Sequence, residues 1–287
     1  MADTHELITN EQQVHSVIGR LGKMPAKSST KSLLFSDFIK ADLPEPPPAY
    51  NFWKKRAPFP LNYYGNDTHG DCTIASQANM ALRMERIETR RTPEFTDNAI
   101  LTVYYNMTER LYGGGDTGAF ETDALDNWRN PDHTFKDTAG RPMTIDAYTK
   151  INHASLSDVK RAICSTEAKG IKVCFNLPAA WQRTISPGVW AVPPKGTSPV
   201  GSWLPGSWGG HSTYVYGYTK DGLWVRTWNV IQFVTWEGFA LYCDEAYWVL
   251  DSVDSWRKKP QVKSGEIKLA KLVDAVNKVS SIKVGKR

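Results

Sequence analysis

The sequence predicts an α+β fold in two lobes. Helices dominate its first part, strand segments its second, and a proline run sets off the region before both. Helices and strands segregated in this way argue against alternating βαβ units.

The elements follow in order. Residues 1–46 read as an N-terminal extension, with short helices expected at Gln12–Gly19 and Ser32–Ala41. Pro44, Pro46, Pro47 and Pro48 then block both helix and sheet ladders, which places a boundary there. Gly65, Asn66, Asp67, Thr68, His69, Gly70 and Asp71 form a loop of turn residues. A helix starts at once behind it, with Ile74, Ala78 and Leu82 on one face and Cys72 in its first turn. Further helices are expected over Asp97–Leu111, capped by Thr96 or Asp97, from Asp123 to Arg129, and over Leu156–Lys169, capped by Ser155 or Ser157. Ile171–Leu177 and His211–Tyr218 read as strands, and Leu223–Val234 holds at least one more. Lys220, Asp221 and Gly222 supply the turn of a hairpin, and Tyr247–Leu250 closes the domain at about residue 256.

Composition narrows the function. The net charge of +5 is uneven: residues 257–287 carry ten Lys or Arg against two acidic residues, a local +8, which leaves the rest at −3. The basic character thus belongs to a C-terminal tail, a solvated end or a patch for an acidic partner. Within it, Glu266–Val279 has the pattern of an amphipathic helix, for packing on the domain or docking a partner. There is no apolar run long enough to span a membrane and no secretory signal pattern at the N-terminus. Cys72, Cys164, Cys174 and Cys243 are widely spaced, so no zinc or other metal site is expected, and no cofactor. A cytoplasmic setting suits such thiols, with virion association or delivery into a host as the other settings considered.

The chemistry centres on two residues. A cysteine at a helix N-terminus gains thiolate character from the partial positive charge there. His211 follows it by 139 residues, behind Gly209 and Gly210, which permit close approach of a substrate backbone. That order and separation suit a Cys nucleophile and its imidazole partner. His69 is closer in sequence, but across a tight turn it has poor geometry for proton transfer.

With these residues in place, the chain resembles the papain family of cysteine peptidases, in a divergent form similar to phage- and plasmid-encoded members. The resemblance rests on Gly70-Asp71-Cys72 before a helix, on Gly210-His211 running to Gly217-Tyr218, and on Thr227-Trp228. Pro48 to Trp53 is similar to the family's mature start, Gly118 to Trp128 to its cleft-lining segment, and Ser186 to Trp190 to the turn before the histidine strand. It covers residues 47–256, the catalytic domain. The chain departs from the family at Thr73, where a Trp is usual, and in lacking the cysteine before the nucleophile. The resemblance implies a two-lobed papain-like fold, with a helical left lobe, an antiparallel sheet or barrel as right lobe, and the active site between them. It implies a peptide or protein substrate and an acyl-enzyme intermediate. It also implies that Asn66, six residues before Cys72, supplies an oxyanion donor, worth about 3–4 kcal/mol in other hydrolases. The group that orients His211 depends on register. Aligned on Trp228, the position falls on Arg226, which has no acceptor. Counted from Gly217 it falls on Thr227, with Asn229 on the same face. Asn229 is the expected residue by type, with a Cys–His dyad held by Thr227 or a backbone carbonyl as the alternative.

The function expected is that of a cysteine peptidase or amide hydrolase. The rivals are an inactive papain-fold binding or structural protein of a phage or mobile element, and a thiol acyltransferase or cell-wall amidase. Whether residues 1–46 form a removable pro-segment stays open at this stage.

Overall fold

A computed structural model describes residues 18–27, 32–40, 43–51, 62–165, 169–251 and 267–279. The helical lobe comprises α1 (Cys72–Glu88), α2 (Asp97–Tyr112) and α3 (Glu121–Arg129). Local chemistry sets their ends. Thr96 caps α2 by accepting from Ala99 N at 3.1 Å, and Gly113 ends it in the left-handed conformation at φ 85°.

The second lobe is built on a mixed sheet. Its strands are β1 (Tyr50–Asn51), β2 (Ile145–Lys150), β3 (Ile171–Leu177), β4 (Val189–Trp190), β5 (Gly209–Tyr218), β6 (Gly222–Thr227), β7 (Val230–Thr235) and β8 (Cys243–Asp251). They run in the order β2-β8-β3-β5-β6-β7-β4, with β1 added to β5. Pairing is antiparallel except between β4 and β7. Two helices, α4 (Leu156–Cys164) and α5 (Trp236–Tyr242), connect strands.

The period of two along each strand divides the sheet between two cores. Val173, Phe175, Val215, Trp248 and Leu250 face one core, with α4 and α5. Tyr214, Tyr216, Tyr247 and Val249 face the other, with Ile74, Ala78, Met107 and Leu125 of the helical lobe. The lobe seam therefore lies on the face of β3, β5 and β8 that carries Lys172, Cys174, Ser212 and Glu245. The α+β, two-lobed architecture is as the sequence predicts. The hairpin β5–β6 turns at Lys220 and Asp221, also as predicted.

Several boundaries differ from the expected ones. The helix expected over Ser32–Ala41 is a single 3-10 turn at Phe35–Phe38, and the one at Gln12–Gly19 lies largely outside the described residues, as does Trp53. The helix expected to reach Lys169 closes at Cys164. The 257–287 region is not wholly a solvated tail. Within it α6 (Leu269–Val279) buries Leu272 and Val276 in the sheet core, with Ile267 just ahead. Ile267 also bridges to Ile39, and Lys271 Nζ donates to Asp37 O at 2.9 Å. Apolar burial decides this outcome over charge, because the lysines lie on the outer face. Among the described residues no helix is long and apolar enough to cross a membrane.

Leu272→Ala is expected to lower the unfolding free energy by about 2–5 kcal/mol, as for other fully buried leucines. Urea denaturation of the full chain measures it. A loss below about 0.5 kcal/mol, the range of surface substitutions, would show that α6 does not belong to the folded unit.

Candidate active site

The loop ahead of α1 is shaped by left-handed backbone at Tyr64 (φ 57°) and Gly65 (φ 94°). Thr68 N and His69 N both donate to Gly65 O, at 3.1 and 3.0 Å. Asp116 fastens the loop to α2: its Oδ1 accepts from Gly70 N at 2.9 Å and from Tyr104 Oη at 2.7 Å. These bonds fix the point at which α1 begins with Cys72.

Cys72 is 1% exposed, and the backbone N–H of Ser212 donates toward its thiol. The cysteine thus lies against the residue that follows His211. The His211 ring stacks on Trp228, with centroids 4.6 Å apart and planes 27° from parallel. Its Nε2 lies 2.5 Å from Thr227 Oγ1, while Nδ1 is buried without a hydrogen-bond partner among the described residues.

The register question has a definite geometric answer. Thr227, the last residue of β6, touches His211. Asn229 is exposed in the turn between β6 and β7, and the side chain that meets His211 Nε2 is that of Thr227. The reason is the strand period: β6 ends at Thr227, and Trp228 at φ 45° breaks the alternation that would bring Asn229 back to the same face. Arg226 points to the opposite side, near Tyr64, Tyr214 and Tyr216. His69 stays with its own loop, its Nδ1 2.8 Å from Thr68 Oγ1. Asn66 is buried, and its Nδ2 donates to His69 O at 2.9 Å and to Arg20 O at 3.1 Å.

That last bond belongs to a feature the sequence did not signal. Residues 18–24 run through the groove between the lobes as an extended strap. Arg20 N donates to Asn66 O at 2.6 Å, and Trp228 Nε1 donates to Arg20 O at 3.3 Å. Ala119 N donates to Gly22 O at 2.7 Å, Met24 N to Ala119 O at 2.9 Å, and Lys23 N to Gly210 O at 3.1 Å. Gly22 passes so close to the loop ahead of α1 that a Cβ on it would lie 1.7 Å from Gly70 O. The only advance signals were the two glycines, Gly19 and Gly22, in an otherwise ordinary extension.

With the strap in place, Cys72 and His211 are each 1% exposed. Burial pushes the Cys72 thiol up to about 12; the Ser212 N–H and the Lys172 ammonium oppose this, Asp71 and Glu121 add to it. Burial, and then Lys172, push the His211 imidazole down to about 3. The thiolate character expected from the helix N-terminus is outweighed by desolvation in this closed form. Asp71, the residue before Cys72, is also held well above the usual carboxylate range by burial.

Beneath the pair sits a second group the sequence reading missed. Lys172 of β3 is fully buried and lies 3.3 Å from Glu121 Oε1 of α3. Its Nζ donates to Ser212 Oγ at 2.8 Å and also to Ser76 Oγ of α1. A lysine between the apolar residues Ile171 and Val173 was the available signal. All four cysteines are free, and the described residues hold no cluster of three or more His, Cys, Asp or Glu suited to a metal.

No protein-family model matches the chain, and no curated protein matches it in sequence. Solved structures do match. Xylellain, a cysteine protease from Xylella fastidiosa, superposes with a TM-score of 0.57 at 16% identity, over 82% of this chain and 97% of that one. The cysteine protease and lectin-like domains of Cwp84, a surface-layer-associated protein of Clostridium difficile, give 0.54 at 11% identity, over 80% and 55%. A structure from work on the mite allergens Blo t 1 and Der p 1 gives 0.52 at 11% identity, over 84% and 82%. The chain has the papain-like cysteine protease fold.

The depressed imidazole has a consequence for stability. Between pH 6.5 and about 3 the unfolded chain binds a proton at His211 that the native chain does not. Stability is therefore lost as pH falls through that window, by about 1.4 kcal/mol per unit from this group. Denaturant unfolding at several pH values should show a shallower acid slope in His211→Gln, and an unchanged slope would mean that His211 is not buried neutral.

Proposed function

We propose that this chain is a cysteine peptidase, kept latent by residues 18–24. Cys72 is the nucleophile and His211 its acid–base partner. The observation that carries the reading is the strap itself. A peptide lies extended in the groove, and one of its carbonyl oxygens, that of Arg20, is held by the Asn66 side-chain amide and by Trp228. A cleft that hydrogen-bonds its own backbone in this way suits a foreign peptide equally well.

In the open form His211 accepts the Cys72 proton, and the thiolate attacks the substrate's carbonyl carbon. The Cys72 N–H and Asn66 Nδ2 hold the oxygen as it gains charge. His211 then gives its proton to the departing amine, which leaves a thioester on Cys72. Water attacks the thioester, with His211 taking a proton from it, and the carboxylic acid and free thiol are restored. Thr227 acts through His211, holding Nε2 so that Nδ1 stays directed away from it. The 16% identity or less to known proteases leaves an inactive peptide-binding module as the second reading, which the closed, neutral state of the pair favours.

One substitution separates the two. Gly22→Val sets a side chain against the backbone of Gly70, which no rotamer relieves, and is expected to expel the strap. In the full-length chain it should raise both the alkylation of Cys72 by iodoacetamide and the cleavage of fluorescent casein. The gain is about tenfold for each 1.4 kcal/mol by which closure is weakened. Cys72→Ala on the same background should abolish cleavage. Rapid alkylation without any cleavage would support the inactive module instead. Thr227→Val on the open background should lower kcat by up to about 100-fold, the lower end of general-base effects, and flatten the pH–rate profile, with a smaller effect from Asn229→Ala. Equal effects of the two would remove Thr227 from its positioning role.

A further inference from the structure

The strap places one charged side chain deep in the groove. Lys23 is 1% exposed at its side chain, and its ammonium meets Asp244 Oδ2 and Glu245 Oε1, the latter at 2.9 Å. Both carboxylates belong to β8, on the catalytic lobes, and they are 13% and 2% exposed. Tyr247 Oη steadies Glu245 by donating to its Oε2 at 2.7 Å. The pocket is close to the candidate chemistry. Cys174 of β3 pairs with Ser212 on one side and with Glu245 on the other. Two strand spacings, about 10 Å, therefore separate the acidic pair from the residue that touches Cys72. A long side chain on a peptide anchored at Gly210 and Ala119 covers that distance.

Another buried cation in the seam, Lys172, has its own carboxylate in Glu121. When the strap leaves, Asp244 and Glu245 lose their ammonium together, and two adjacent acids share the emptied pocket. Such a pair is costly unless a cation replaces the one removed. Burial works against the charge on Lys23, yet Cys174, Glu245 and Asp244 more than offset it and its pKa is raised. Cys174 is itself pushed well above the usual thiol range by burial, so it stays neutral and the two carboxylates carry the attraction.

We infer that the cleft selects substrates with a lysine or arginine side chain, held by Asp244 and Glu245 in the pocket that Lys23 fills in the closed form. Lys23 is then a stand-in for a substrate residue, and the same carboxylates that close the groove set its specificity. The inference rests on the peptide-cleft reading above but not on turnover. A neutral side chain of equal length leaves both acids unpaired, and an acidic one adds a third negative charge.

The test uses full-length Gly22→Val, with Gly19→Val as a second route to an open groove, since a Cβ there would lie 2.3 Å from Asn66 O. The probe is a synthetic heptapeptide of residues 18–24, with lysine, arginine or norleucine at the position of Lys23. Binding is measured by calorimetry in the Cys72→Ala background. The lysine and arginine peptides should bind, and the norleucine peptide about 100-fold more weakly, as expected for the loss of a buried charge partner. Asp244→Asn with Glu245→Gln should erase that difference. Binding that is equal for lysine and norleucine, or no binding of any peptide, overturns the pocket. Reporter peptides on the enzyme with Cys72 intact then separate the two claims. Cleavage that ignores charge also overturns the pocket. Charge-selective binding with neither cleavage nor Cys72 alkylation keeps the pocket and rejects the peptidase.

Discussion

Lys172 is the point at which the two lobes are tied. Its ammonium sits on β3 and reaches Glu121 of α3, Ser76 of α1 and Ser212 of β5. Four elements therefore meet at one charge, beside the N-terminal turn of α1. Burying an ion pair of this kind adds little net stability compared with apolar packing, but breaking it costs about 3–5 kcal/mol. What it secures is register. The hydroxyls of Ser76 and Ser212 are positioned by the same ammonium, and Ser212 in turn presents its N–H to Cys72.

The groove is closed by backbone, with one side chain as its anchor. Gly22 and Gly19 let the strap pass within contact distance of Gly70, Asn66 and Trp228, where any larger residue would collide. With the strap in place, burial raises the Cys72 thiol and lowers the His211 imidazole, so both groups are neutral. The helix dipole remains, but its contribution of about 1 kcal/mol is smaller than the cost of desolvating a thiolate.

Much of the local structure was legible in the sequence because it depends on near neighbours. The cap at Thr96, the stop at Gly113, the strand Ile171–Leu177 and the start of α1 at Cys72 all follow from side chains within a few residues. Strand β2 was not read, because Ile145–Lys150 mixes Asp, Tyr, Thr and Lys and gains its stability from pairing with β8. Helix α5 was missed for a similar reason. Seven residues suffice there because Trp236, Phe239 and Tyr242 enter the core.

At the site, the sequence by itself determined the order and types of the chemical groups: a cysteine opening a helix after a turn-rich loop, and a histidine behind paired glycines on a strand. It determined these because periodicity and turn chemistry are local. Tertiary structure decided which group faces His211, which charge lies under Cys72, and what fills the cleft. Thr227 rather than Asn229 meets the imidazole because a left-handed residue at Trp228 ends the strand between them. Lys23 meets Asp244 and Glu245 across more than two hundred residues of chain. Contacts at that separation leave no periodic trace, since they are fixed only when both lobes and the strap are packed together.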